Sequence, residues 1–363
     1  MVIIGGNFTA MFLASLLAEK GVSICLLSKR STFATDISLR ETGQVQLGLG
    51  DNPFRLCAAI GEEDTKEILQ FSQMGINILK SMSCVSTHGG LHIAKDPREV
   101  EEVIHSAQIL QNLGFPCNHF TADEISAKLQ TKGLLDGWFS PQEITVDLQA
   151  LAQQLTASIK HLHLVTNCNV LELVDTPNAV TINTNLGALQ THTVVYCGDY
   201  ADVCHHGFFA EKLYPVRSQC IGVPVENPLP YGCVAQYGYI YWRDFGNIRM
   251  IGGCRWATPH LEVGETDDTV TVRKVDVHLQ KFARDSFGVE SQPRYKWSGI
   301  RTHSCDGLPI IGSLPGRPDI IACCGFNGHQ LPLGISSAKV VFDLLIHGKT
   351  SHLPKKFDSY RFL

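Results

Sequence analysis

The residues best suited to chemistry lie between Trp297 and Gly334, and Arg301 is the first of them. A guanidinium in a closed, mostly apolar site matches a carboxylate with two parallel hydrogen bonds. The alternative is a solvated or structural arginine. Further along, the apolar strand Asp319 to Cys324 runs into Gly325-Phe326-Asn327-Gly328-His329, which opens a helix. A strand, a glycine-rich turn and a helix N-terminus bring backbone N–H groups together, and that arrangement suits negative charge on a ligand. At the other end of the chain, Gly5-Gly6-Asn7-Phe8-Thr9-Ala10 follows the short strand Val2-Ile3-Ile4. This is a partial G-x-G-x-x-G, with Asn7 at the second glycine position and Ala10 at the third. Ala10 keeps the small residue that helix-on-strand packing needs, whereas Asn7 puts a side chain where backbone approaches phosphate. The strand that follows ends Leu27-Ser28-Lys29, so Ser28 stands where an acid usually holds the ribose hydroxyls. An ordinary βαβ packing turn is the competing reading.

These residues need elements to position them. Val2 to Ile4, an apolar helix from Met11 to Lys20 and a strand from Val22 to Leu27 make a βαβ start. A helical stretch over Phe54 to Lys80 has a break at Gly61, and Ser83 to Ala94 reads as a strand kinked at Gly89-Gly90. Asp96 to Leu113 is helical, Thr121 and Glu124 form a capping box, and Leu134 to Val146 holds one or two strands. After a helix at Asp147 to Lys160 and a parallel strand at Leu162 to Val165, the stretches 170–174, 180–184 and 193–197 read as a small antiparallel set. Strands then crowd the region from Tyr214 to Arg255, and a helix spans about Val270 to Phe287. Helices and strands alternate at both ends with strand-rich insertions between, which predicts two interleaved domains.

Composition narrows the function classes. The 363 residues carry 30 Lys and Arg against 35 Asp and Glu, a net charge of -5 that makes no case for a nucleic-acid partner. The 13 cysteines are odd in number, scattered and without CxxC, which argues against a disulfide framework and for a reducing cytoplasm. No apolar run reaches the length of a membrane span. His205-His206 with Cys204, and His161 with His163, lack a third ligand at useful spacing, so no metal is expected. Cys323 and Cys324, in an apolar strand, read as core.

Three motifs in order carry a resemblance: Gly299-Ile300-Arg301, then Asp306-Gly307-Leu308-Pro309-Ile310-Ile311-Gly312, then Gly325-Phe326-Asn327-Gly328-His329. In these the chain resembles the D-amino-acid oxidase and glycine oxidase superfamily of FAD-dependent amine oxidoreductases, and the bacterial D-amino-acid dehydrogenase and glycine oxidase types above all. Ser38 to Gln44 is similar to that family's loop beside the flavin. Pro215-Val216-Arg217-Ser218-Gln219, Tyr241-Trp242-Arg243 and Gly252-Gly253-Cys254-Arg255 extend the likeness over the whole chain. His303 and Cys305 depart from the pattern before Asp306, and Glu41 and Thr42 depart from the flavin loop.

The resemblance implies an α/β and α+β fold: a Rossmann-like FAD-binding domain (1–83, 146–206 and 296–363) interleaved with a substrate domain built on an antiparallel sheet (84–145 and 207–295). Cofactor contacts are expected from Gly5, Gly6, Asn7, Phe8 and Thr9 of the first turn, and from Ser28 and Lys29 after the second strand. Arg40, Thr42, Gly43 and Gln44 follow in the loop, then Val170 and Gly198. Gly299, Arg301, Gly325, Asn327, Gly328, His329, Gln330 and Leu331 complete the set. Sarcosine oxidase-like members carry flavin on a cysteine where this chain has Gly299, so the resemblance implies non-covalent FAD. The catalytic set is Arg301 as carboxylate clamp, Tyr241, and His329 as a support of its loop; by strand alternation one of Tyr241 and Trp242 faces core and the other the site, and either could wall the pocket. The implied reaction oxidises the C–N bond of an amino acid or a secondary amine to an imine, with oxygen or another acceptor taking the electrons and homo-oligomerisation allowed. A flavin-fold accessory subunit with little turnover is the rival.

Overall fold

The computed structural model describes every residue except Asp36, Pro177 and Asn178. Two compact units emerge, one made of 1–41, 147–216 and 300–363, the other of 42–146 and 217–299.

The first unit is built on a six-stranded sheet in the order Ile310–Leu314, Arg317–Cys324, Val194–Tyr196, Val2–Ile4, Cys25–Leu27, His163–Val165. All its pairs are parallel except the hairpin of the first two strands. Strands buried on both faces read as unbroken apolar runs. Val194-Val195-Tyr196 is such a run, each residue fully buried. The antiparallel set expected there is corrected accordingly. Val194 pairs with Val2 on one side and Ile320 on the other, and the third antiparallel strand beside Val170–Thr176 and Ala179–Thr184 is Gly187–Thr191.

The helix Phe8–Ala18 starts three residues earlier than its apolar pattern suggests, because Asn7 caps it. It is buried nearly all round, as befits a helix covered on several sides. It packs against both Leu148–Ile159 and Ile335–His347.

In the second unit an eight-stranded, mostly antiparallel sheet runs in the order Tyr295–Ser304, Leu213–Pro224, Ile248–Gly253, Ile240–Phe245, Gly232–Ala235, Gly90–Ile93, Gly137–Ser140, Asn118–Phe120. Its first two strands carry the chain out of and into the first unit. Trp242, with Phe282 and Phe287 against its ring, centres an apolar core. The segment 42–83, expected with the FAD domain, groups with this unit. The reason is local pairing: Gln44–Val45 and Val85–Ser86 both pair with Ile144–Val146, and the helix Pro53–Ile60 packs on Pro97–Asn112.

Candidate active site

In the first unit a cleft opens at the C-terminal ends of the parallel strands. Asn7 and Gly198, each just past a strand, and Arg301, Gly325, Gly328 and Gln330 line it. Ligands of open α/β sheets bind at this end of the strands. Gly5 has φ +135°, and a Cβ there would stand 2.7 Å from Gly198 Cα, so the two turns close on each other only with glycine at position 5. The glycine-rich loop meets Arg301 in the same way. Gly328 has φ +90°, and a Cβ on it would lie 2.8 Å from Arg301 Nη1.

The loop is held by its own asparagine. Asn327 adopts φ +53°, a region Asn tolerates. Its Oδ1 accepts from Ser304 N at 2.9 Å and its Nδ2 donates to Gly325 O at 2.8 Å. That side chain is thereby committed to fixing the loop on the strand that carries Arg301. His329 N donates to Phe326 O at 2.8 Å, and a π-helical turn, Gln330–Gly334, leads into the last helix.

The sequence candidates divide between the units. Gly5, Gly6, Asn7, Phe8, Thr9, Ser28, Lys29, Arg40, Val170, Gly198, Arg301 and Gly325 to Leu331 belong to the first, whereas Thr42, Gly43, Gln44, Tyr241 and Gly299 belong to the second. Not every first-unit candidate reaches the cleft wall. Val170 packs in the hydrophobic core, and Lys29 is exposed. Ser28 is buried, and its Oγ accepts from Arg30 N at 3.2 Å. In the second unit Arg243 Nη1 donates to Gly43 O at 3.0 Å and Val146 O at 2.9 Å, which anchors the Thr42–Gln44 turn. Strand alternation puts Trp242 into the core and Tyr241 on the opposite face, its hydroxyl 2.8 Å from Ser218 Oγ. Glu41 of the Ser38–Gln44 loop and Phe326 of the glycine-rich loop also line the cleft, as do Ile37, Asp199 and Thr302, which carry no motif of their own. Asp199 and Thr302 each follow a named residue directly, and that adjacency was the available signal.

Several buried polar atoms at the cleft lack a hydrogen-bond partner within the protein: both ends of the Gln330 carboxamide and Thr302 Oγ1. Thr9 Oγ1 is a third such group, packed with Gln330 around Gly334. Such groups call for a ligand rich in hydroxyl and phosphate oxygens, and the residues present fit the flavin-bearing part of FAD. After the second strand, Ser28 Oγ already accepts from Arg30 N.

A parallel sheet of this topology with a glycine-closed cleft at its strand ends is the arrangement of dinucleotide-binding domains. The chain belongs to the family of FAD-dependent oxidoreductases, whose sequence pattern matches residues 1–344. It is 24% identical over 292 residues to a D-amino acid dehydrogenase of Vibrio cholerae, covering 76% of this chain and 67% of that protein. It is also 24% identical over 272 residues to a glycine oxidase of Geobacillus kaustophilus, covering 72% and 71%. The solved glycine oxidase of Bacillus cereus shares the fold with a TM-score of 0.81 at 18% identity, over 97% of this chain and 96% of that one.

Proposed function

We propose that the protein oxidises the C–N bond of an amino acid or a related secondary amine to an imine that water hydrolyses, with non-covalent FAD as cofactor and oxygen or another acceptor as electron sink. The observation that carries this reading is Arg301, whose guanidinium lies against the backbone of Gly328 in a cleft that a dinucleotide fold reserves for its ligand. A fixed guanidinium there takes the substrate carboxylate bidentately and orients the Cα–H, so that catalysis is mostly positioning. Bound FAD supplies the hydride acceptor. Backbone donors of Gly325 to Leu331 favour negative charge at that end of the cleft. His329 supports the loop, and no side-chain base is required when the amine arrives neutral. Thirteen free cysteines support a reducing compartment.

The test is anaerobic addition of small amino acids and N-methyl amino acids to the purified yellow protein, followed by the visible flavin band. Bleaching is expected; a colourless protein that takes up no FAD would overturn the reading. Arg301→Ala should raise KM for carboxylate-bearing amines at least tenfold more than for simple amines, the scale of one charge-assisted pair. Equal effects on both would remove the clamp.

A further inference from the structure

The turn that should receive the pyrophosphate is occupied by its own side chain. Asn7 is 1% exposed. Its Oδ1 accepts from Ala10 N at 3.0 Å, and its Nδ2 donates to Cys197 O at 2.6 Å. Phe8 N, one residue into the helix, donates to Ser38 Oγ at 3.3 Å. Two amides that a dinucleotide turn presents to phosphate thus already have acceptors, while Gln330, lining the same cleft, has none for its carboxamide.

We propose that Asn7 is an internal competitor for the cofactor's pyrophosphate, a carboxamide oxygen standing in for a phosphate oxygen at the first helix and lowering FAD affinity. The inference rests on the cleft being the FAD site. A helix N-terminus takes an anionic oxygen in preference to a neutral one, so pyrophosphate displaces the carboxamide. In leaving, Asn7 also gives up its bond to Cys197 O, which ties the first strand's turn to the end of Val194–Tyr196. The competition therefore involves one or two hydrogen bonds. Backbone strain plays no part, since Asn7 has φ -83°.

The experiment titrates FAD into the full chain after flavin removal, reading flavin fluorescence for Kd and thermal unfolding of the flavin-free protein. Asn7→Gly should tighten FAD by about fivefold to thirtyfold, the worth of one or two hydrogen bonds, and lower the Tm of the flavin-free protein but not that of the loaded one. Asn7→Asp keeps the helix cap, loses the donor to Cys197 O and turns a carboxylate toward the pyrophosphate. It should weaken FAD by tenfold or more, with the loss shrinking as salt rises. An Asn7→Gly protein with unchanged or weaker affinity overturns the proposal, as does an Asn7→Asp protein that binds like wild type. Should the glycine variant fail to fold, the aspartate variant decides. If the wild type binds FAD and bleaches with amino acids while the three constants coincide, only the role of Asn7 falls. If none binds FAD, the functional reading falls with it.

Discussion

Tyr196 closes the central strand Val194–Tyr196 with its ring fully buried, and its hydroxyl meets His205 Nε2 at 2.9 Å. Burial, with His206 nearby, pushes His205 down from 6.5 to about 4. Between those values the unfolded chain holds a proton that the folded chain does not, so stability rises with pH across that window. The contribution is complete above 6.5 and is lost as pH falls toward 4. Replacing His205 with Gln keeps a hydrogen-bonding group beside Tyr196 and removes the titration. The urea midpoint of that variant should therefore fall less than that of wild type between pH 6.5 and 4. Parallel declines would show that His205 carries none of the acid sensitivity. At this scale the sequence displays types more readily than partners. Asn7 is legible as a departure from glycine, but its bond to Cys197 O spans the sequence from the first turn to the third strand of the sheet. Asn327 reads as a ligand until Ser304 is seen beside it.

Elements defined by local chemistry were the readable ones. Gly61, with φ +87°, separates Pro53–Ile60 from Glu62–Lys80. Asp96 caps Pro97–Asn112, and Thr121 with Glu124 forms the capping box. Helix stops and caps act within a few residues, so a sequence carries them openly. Three apolar residues such as Val194–Tyr196 fit either kind of sheet, and only Val2 and Ile320 on its two flanks decide. The C-terminal 3-10 turn Ser359–Phe362 was likewise hidden in its long-range partners. Arg361 donates to both oxygens of Asp306, at 2.7 and 3.1 Å, and to Pro309 O and Leu308 O. Burial acts to raise the Asp306 carboxyl, but the bonds from Arg361 prevail and hold it below its ordinary range. Arg361→Ala leaves a solvent-screened carboxylate and two carbonyls without their donor, a loss of about 1–2 kcal/mol. Urea unfolding at pH 7 measures it, and a loss under about 0.5 kcal/mol, the scale of an ordinary surface change, would mean the turn holds without Arg361.

The chain passes between its two units at 41/42, 146/147, 216/217 and 299/300. The place of 42–83 rests on two short strands and a helix contact, none of which the alternation of elements displays. Neither unit is a continuous piece of chain. A fragment of residues 1–146 contains Val2–Ile4 and Cys25–Leu27 but neither Val194–Tyr196 nor Arg317–Cys324. It should show no cooperative thermal transition by near-UV circular dichroism, and a sharp melt would contradict this. The same pairing sets a timetable during synthesis. Ile3 leaves the ribosome early, but its parallel neighbour Val195 follows 192 residues later, roughly 10 to 40 s at about 5–20 residues per second. Until then one edge of Val2–Ile4 has no partner, and an apolar edge in that condition invites pairing with another chain. Translation rate and chaperone supply should accordingly govern the yield of this protein more than its final stability does.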